Sequence, residues 1–198
     1  MIIGLTGGIA SGKSTVAAML KEYGLPIVDA DVVAREVVEV GEETYEKLVS
    51  EFGEGILQED RSLDRVKLGK LIFENKEKRE RLNSIMHPSI RNRMKEETKE
   101  YVNKGHQTVV MDIPLLFESK LTHLVEKTLL VYVDEVVQLE RLMKRNNLSR
   151  EDAMARISSQ MPLREKVNLA DEVIQNNGSI EETKEQLHTI LKKWAIQK

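Results

Sequence analysis

Residues 7 to 14 read Gly-Gly-Ile-Ala-Ser-Gly-Lys-Ser and fit the pattern G-x-x-x-x-G-K-[ST] in full. That pattern carries a structural condition: a buried strand must lead into the loop and a helix must leave it. Both neighbours are present. Ile2–Thr6 is a continuous apolar run of the kind found in strands covered on both faces. From Ser14 onward, Val16, Ala17, Met19 and Leu20 fall at helical spacing until Tyr23-Gly24 supplies a stop. In that setting Gly7 and Gly12 let successive N–H groups turn toward one anion, and the positive end of the helix adds to the field. Lys13 is expected to reach the β and γ phosphates of a nucleotide as a point charge, and the Ser14 hydroxyl to ligate Mg²⁺.

The same strand-then-helix grammar recurs. Pro26–Asp29 reads as a second strand, with a helix over Asp31–Val40 behind it. Thr108–Ile113, Thr128–Val133 and the weaker Glu172–Gln175 are further strands, each followed by helical text. Alternation of this kind predicts an α/β fold of the P-loop NTPase type, a parallel five-stranded sheet flanked by helices. Two stretches depart from the alternation. Residues 41–104 are dense in charge and helical in spacing, and they read as an inserted helical domain for substrate, whose last helix starts with Pro88 at its first position and runs to Asn103. Residues 146–169 carry Arg150, Arg156, Arg164 and Lys166 around a helix over Ser149–Ser159, and they read as a lid. The core is then 1–40, 105–145 and 170–198 of one domain spanning 1–198. Ser179-Ile-Glu-Glu182 opens the closing helix with a capping box.

Composition excludes whole classes. The 30 Lys and Arg against 33 Asp and Glu give a net charge of -3, and aromatics make up 4%, so neither a basic nucleic-acid surface nor a stacking platform for single strands is expected. With no cysteine, disulfide scaffolds, thiolate zinc sites and thiol catalysis fall away. The apolar start lacks a basic n-region, and the longest later apolar run, Leu129–Val133, falls far short of the roughly 20 residues that span a bilayer. A soluble, cytoplasmic protein without membrane or nucleic-acid partners is expected, a monomer or weak homo-oligomer.

The remaining chemistry lies in carboxylates and arginines. Asp29 and Asp31 follow the second strand, at the sheet edge where ligands bind in open α/β folds, and two acids facing a triphosphate suit Mg²⁺ or a proton acceptor. A turn at Asp29 and a helix cap at Asp31 would be the simpler but less favoured explanation. Asp112 ends a strand, where a carboxylate holds Mg²⁺ in such folds, unless it only forms a turn. Arg141 and Arg145 are one helical turn apart, and they either close over a transferring phosphoryl group or line a solvated face. The histidines show no metal-ligand spacing. His87-Pro88 looks like a tight junction between subdomains, and Leu115-Leu-Phe117 either packs the core or walls a ring-binding site.

Together, Leu5–Thr15, Asp29-Ala-Asp-Val-Val-Ala-Arg35, His87-Pro88, Asp112-Ile-Pro-Leu-Leu-Phe-Glu118, Gln138-Leu-Glu-Arg-Leu142 and Asn176-Asn-Gly-Ser179 resemble the dephospho-CoA kinase family, in order and through nearly the whole chain. The resemblance implies transfer of the γ-phosphoryl of ATP to the 3'-hydroxyl of dephospho-CoA. It places Gly7, Gly8, Ala10, Ser11, Gly12, Lys13, Ser14 and Thr15 on the ATP phosphates, with Arg145, Asn177 and Gly178 also on ATP. Thr6, Asp29, Arg35, His87, Leu115 and Phe117 fall on the substrate side, Asp31 is the base, and Lys13 and Arg141 complete the catalytic set. Ser14 and Asp112 are the metal ligands. Another small-molecule P-loop kinase, for nucleoside monophosphates or shikimate, would use the same machinery. A regulatory nucleotide switch fits less well, because neither N-K-x-D nor L-S-G-G-Q occurs.

Overall fold

A computed structural model describes residues 1–73 and 75–196. In chain order the elements are β1 (Ile2–Gly7), α1 (Lys13–Glu22), β2 (Ile27–Asp29), α2 (Ala30–Glu36), α3 (Glu43–Phe52), α4 (Arg65–Phe73) and α5 (Lys76–Asn103). They continue with β3 (Val109–Asp112), β4 (Lys127–Tyr132), α6 (Glu135–Asn146), α7 (Arg150–Ser158), α8 (Leu163–Val167), β5 (Glu172–Gln175) and α9 (Ile180–Lys193). Two compact units divide them: Met1–Val28 with the chain from Glu100 onward, and Asp29–Lys99.

The first unit is built on a parallel sheet in the order β2-β3-β1-β4-β5. β1 is central, with Gly4 opposite Met111 of β3 on one side and Thr128 of β4 on the other. The chain leaves β1 toward the β2 side and, after β3, crosses to the β4 side. The carboxyl end of β1 is therefore the switch point at which open α/β sheets bind ligands. Alternating strand residues face opposite layers. On one face Ile3, Leu5, Val110, Leu129, Val131 and Ile174 pack against Val16 and Leu20 of α1 and Leu187, Ile190 and Leu191 of α9. On the other, Leu130 and Val133 meet Leu163 of α8. Burial of each such side chain contributes on the order of 1.5–3 kcal/mol, which is what fixes β1 between its neighbours. At the amino ends of β4 and β5, Asp171 accepts from the Thr128 amide (2.8 Å) and hydroxyl (2.7 Å) and pairs with Lys127.

The second unit is helical. Val33, Val37, Val38, Tyr45, Leu48, Ile56, Leu57, Leu63 and Met94 are its buried apolar residues among those described, and Tyr45 donates to the Arg61 carbonyl at 2.6 Å. Two expectations need correction here. The helix after β2 stops at Glu36 and does not continue to Val40; Gly41 follows at φ +96°. Pro88 does not open a helix but lies inside α5, which begins at Lys76 with the Asn75 side chain accepting from the Lys78 amide at 3.0 Å. Proline removes one backbone donor and ordinarily breaks a helix. Side-chain donors serve the carbonyls around it: Ser89 Oγ reaches the Ile85 carbonyl at 3.3 Å and Arg91 Nε the His87 carbonyl at 3.2 Å. Among the described residues no helix is long and apolar enough to cross a membrane.

Candidate active site

The loop between β1 and α1 owes its shape to space as much as to dihedral freedom. Gly12 sits at φ +89°, in the left-handed region that side chains resist. Gly7 belongs to β1 and has no such angle; a Cβ there would meet Ser11 Oγ at 2.5 Å and the Val131 carbonyl at 3.2 Å. Ala10, at φ +60°, supplies the loop's other left-handed residue. The Ser11 amide donates back to the Gly8 carbonyl at 3.1 Å, and α1 starts on the Gly12 carbonyl, which accepts from Thr15 at 3.0 Å.

Side chains from across the first unit hold this loop. Buried Asn176, just past β5, donates to the Ser11 carbonyl (2.8 Å) and accepts from Thr183 (2.7 Å). Gln138 of α6 donates to the Ile9 carbonyl at 2.8 Å, and Gln160 accepts from the Ile9 amide at 2.8 Å. Lys166 of α8 donates to the Gly7 carbonyl at 3.3 Å, while Thr6 donates to the Pro114 carbonyl at 3.1 Å. The sequence alone assigns no loop-holding role to Asn176, Gln138, Gln160 or Lys166. Their signal was a polar residue in a core register: Gln138 shares a helical face with Leu142, and Lys166 shares one with Leu163.

Lys13 pairs with Asp112, which ends β3 and is 3% exposed. The geometry separates the two arginines. Arg141 carries its guanidinium to Gly12, with Nη1 about 4.0 Å from where a Cβ would stand, whereas exposed Arg145 turns its Nε to Asn146 at 2.9 Å. Exposed Asn177 uses its side-chain oxygen to accept from the Asp134 amide (2.8 Å), just ahead of α6. At Gly178 a Cβ would collide with Glu182, whose carboxylate completes the capping box on Ser179. Ser14 and Thr15 lie exposed in the first turn of α1. Leu115 is exposed, but Phe117 is buried and lines a hollow with Thr128 and Asp171 at the amino end of β4, away from the loop.

In the second unit Asp29 caps α2, accepting from the Asp31 amide at 2.8 Å and the Val32 amide at 3.3 Å. Asp31 and Arg35 are exposed on that helix, and His87 is exposed within α5. The capping role considered for Asp31 thus belongs to Asp29, which leaves the Asp31 carboxylate on the first turn.

The donors at the loop are a hydroxyl, Ser14, and a carboxylate, Asp112. Among the described residues no group of three or more His, Cys, Asp or Glu forms a metal cage. A hydroxyl and a carboxylate suit Mg²⁺, which prefers a few oxygen ligands from protein and completes its shell with phosphate oxygens and water.

The dephospho-CoA kinase family model matches residues 1–182. The chain is 60% identical over 196 residues to the dephospho-CoA kinase of Bacillus anthracis, covering 99% of this chain and 98% of that one. Its fold superposes on dephospho-CoA kinase from Campylobacter jejuni with a TM-score of 0.75 at 30% identity, over 98% and 96% of the two chains. Shikimate kinase from Aquifex aeolicus shares the fold alone, at a TM-score of 0.54 and 15% identity over the full length of both. With loop, lysine and strand-end aspartate assembled at the sheet's switch point and a match through nearly its whole length, this chain belongs to the dephospho-CoA kinase family and is a phosphoryl-transferring enzyme.

Proposed function

We propose that the chain moves the γ-phosphoryl group of ATP onto the 3'-hydroxyl of dephospho-CoA, the last step of coenzyme A synthesis. The observation that carries this assignment is the dephospho-CoA kinase family match over residues 1–182; the Lys13–Asp112 pair beside the phosphate loop supplies a cation and a carboxylate for phosphoryl transfer. Amides from Ala10 to Thr15 hold the ATP phosphates, and Lys13 and Arg141 stabilise charge on the transferring group. Ser14 and Asp112 would hold Mg²⁺, which when bound neutralises charge on the phosphate oxygens. Asp31 takes the proton from the acceptor hydroxyl, supported by Asp29.

The acceptor side draws on Thr6, Arg35, His87 and Leu115; the helical segment 41–104 serves substrate, and the lid 146–169 closes on ATP. Arg145, Asn177 and Gly178 are assigned to the nucleotide. Phe117 is assigned to the acceptor side from its place just past the end of β3. The protein works in the cytoplasm as a monomer or weak homo-oligomer, with no nucleic-acid partner.

Incubation with ATP, Mg²⁺ and a panel of dephospho-CoA, AMP and shikimate tests the substrate. Phosphorylation of AMP or shikimate, with none of dephospho-CoA, would overturn it. Asp31→Asn is expected to abolish transfer while ATP binding persists, because a base acts on the acceptor. Collapse of ATP affinity in that variant would show Asp31 to be a partner of the nucleotide or its metal instead.

A further inference from the structure

Lys166 is completely buried. Its ammonium group donates to Glu118 Oε1 at 2.7 Å and to the Gly7 carbonyl at 3.3 Å. The same Glu118 oxygen accepts from the Met161 amide at 3.3 Å. One residue earlier, the Gln160 side chain accepts from the Ile9 amide of the loop at 2.8 Å. These bonds close a circuit: Gly7 to Lys166, Lys166 to Glu118, Glu118 to Met161, and Gln160 back to Ile9. The connection between α7 and α8 is thereby tied to the phosphate loop on both sides of Gly8. At Gly8 a Cβ would also press on Leu163, the first residue of α8, at 3.0 Å.

A buried ion pair is an inefficient way to fill a core. Desolvating both ions takes back most of what their attraction gives, and well-packed apolar residues of similar volume often serve stability better. This pair is moreover incompletely satisfied, since Glu118 Oε2 is buried with no hydrogen-bond partner among the described residues. Stability alone therefore gives no reason for it. What it does provide, and an apolar plug would not, is a directed bond onto the Gly7 carbonyl from an element of the lid segment itself. Beside the connection opens a hollow of about 500 Å³, lined by Ile157, Gln160, Met161 and Arg164 among others, so that side is not packed solid.

We propose that Lys166 is a positioning residue for phosphoryl transfer: with Glu118 and Gln160 it straps the α7–α8 connection to the phosphate loop, so that the loop amides take their working geometry only while the strap is closed. The proposal rests on the phosphoryl-transfer assignment above and adds to it a residue set that touches neither ATP nor acceptor. Movement of the segment that precedes α8 then registers directly at Gly7 and Ile9. Small displacements there are expected to act on kcat, because loop geometry is used most fully as the γ-phosphoryl transfers.

The test compares Lys166→Met, Glu118→Met, their double variant and Gln160→Leu for melting temperature, kcat, KM and ADP release without acceptor. Lys166→Met is expected to melt lower, because Glu118 then faces no cation. The double variant regains the melting temperature, yet its kcat stays roughly tenfold or more below wild type with KM for dephospho-CoA little changed, the scale on which misplaced reacting groups lose rate. Gln160→Leu, which leaves the ion pair intact, lowers kcat with little change in melting. Recovery of both stability and kcat in the double variant would make the pair purely structural, as would an unchanged kcat in Gln160→Leu should the Lys166 variants not fold. ADP release without acceptor reads the loop independently of substrate. A wild-type chain silent toward dephospho-CoA would therefore count against the substrate assignment and not against the strap.

Discussion

Replacing Gly12 by alanine perturbs two things the structure keeps apart by a missing Cβ. At φ +89° an L-residue is strained by about 1–2 kcal/mol. The new methyl also lands on Asn176 Nδ2, so the side chain must leave the Ser11 carbonyl, and a broken buried hydrogen bond costs about 1–3 kcal/mol. Together these predict a loss of about 3 kcal/mol, or roughly 6–12 °C in melting temperature for a chain of this size. Asn176→Ala alone breaks the same bond without strain and should cost about 2 kcal/mol; Thr183 keeps the Ser179 carbonyl at 3.0 Å as an acceptor. In the double variant the collision has no target, and only the backbone strain adds to the lost bond. Thermal melts of the four proteins should then show the double variant more stable than the sum of the single losses by about 1–2 kcal/mol. Additivity within about 0.5 kcal/mol, or a Gly12→Ala protein that melts with wild type, would refute the steric coupling of loop and Asn176.

Other expectations are more direct. Lys13→Ala should lower turnover about 100-fold or more, the several kcal/mol expected where a positive charge is withdrawn from a transferring phosphoryl group; near-normal turnover would remove Lys13 from the chemistry. Arg141→Ala should weaken ATP binding and turnover more than Arg145→Ala, because only Arg141 is seen beside Gly12, and steady-state kinetics of the two variants decide it. Burial pushes the Asp171 carboxyl up, but hydrogen bonds from the Thr128 hydroxyl and amide and the Lys127 ammonium outweigh it and hold the group below its ordinary value. Its stabilising contribution is present above the unfolded pKa near 4 and is lost as pH falls through the lowered folded one. The stability gap between wild type and Asp171→Asn in urea melts should therefore narrow below about pH 4, and a gap constant from pH 7 to pH 3 would contradict it.

The octet at residues 7–14, flanked by an apolar run and a helical spacing, was enough to set β1, the loop and α1, because those features are local and each element is defined within its own few residues. The same holds for β5 at Glu172–Gln175 and for the Ser179 capping box, both found where the residues placed them. Boundaries failed where a neighbour in space or a distant donor mattered. Pro88 read locally as a helix start, yet α5 begins twelve residues earlier at Lys76, capped by Asn75, and runs through it. At the site, the motif named Lys13, and the end of a strand named Asp112, but neither spacing nor composition says that they pair. Nor does any local pattern choose Arg141 over Arg145, or give Asn176, Gln138, Gln160 and Lys166 their hold on the loop. Those residues are 129 to 165 positions from their loop partners, and only the packing of β5, α6 and α8 around β1 brings them within hydrogen-bond reach. What the sequence determined by itself was the phosphate loop with the strand and helix around it; which side chains hold that loop in place was decided by the tertiary fold, since a hydrogen bond depends on distance in space and leaves no periodic trace along the chain.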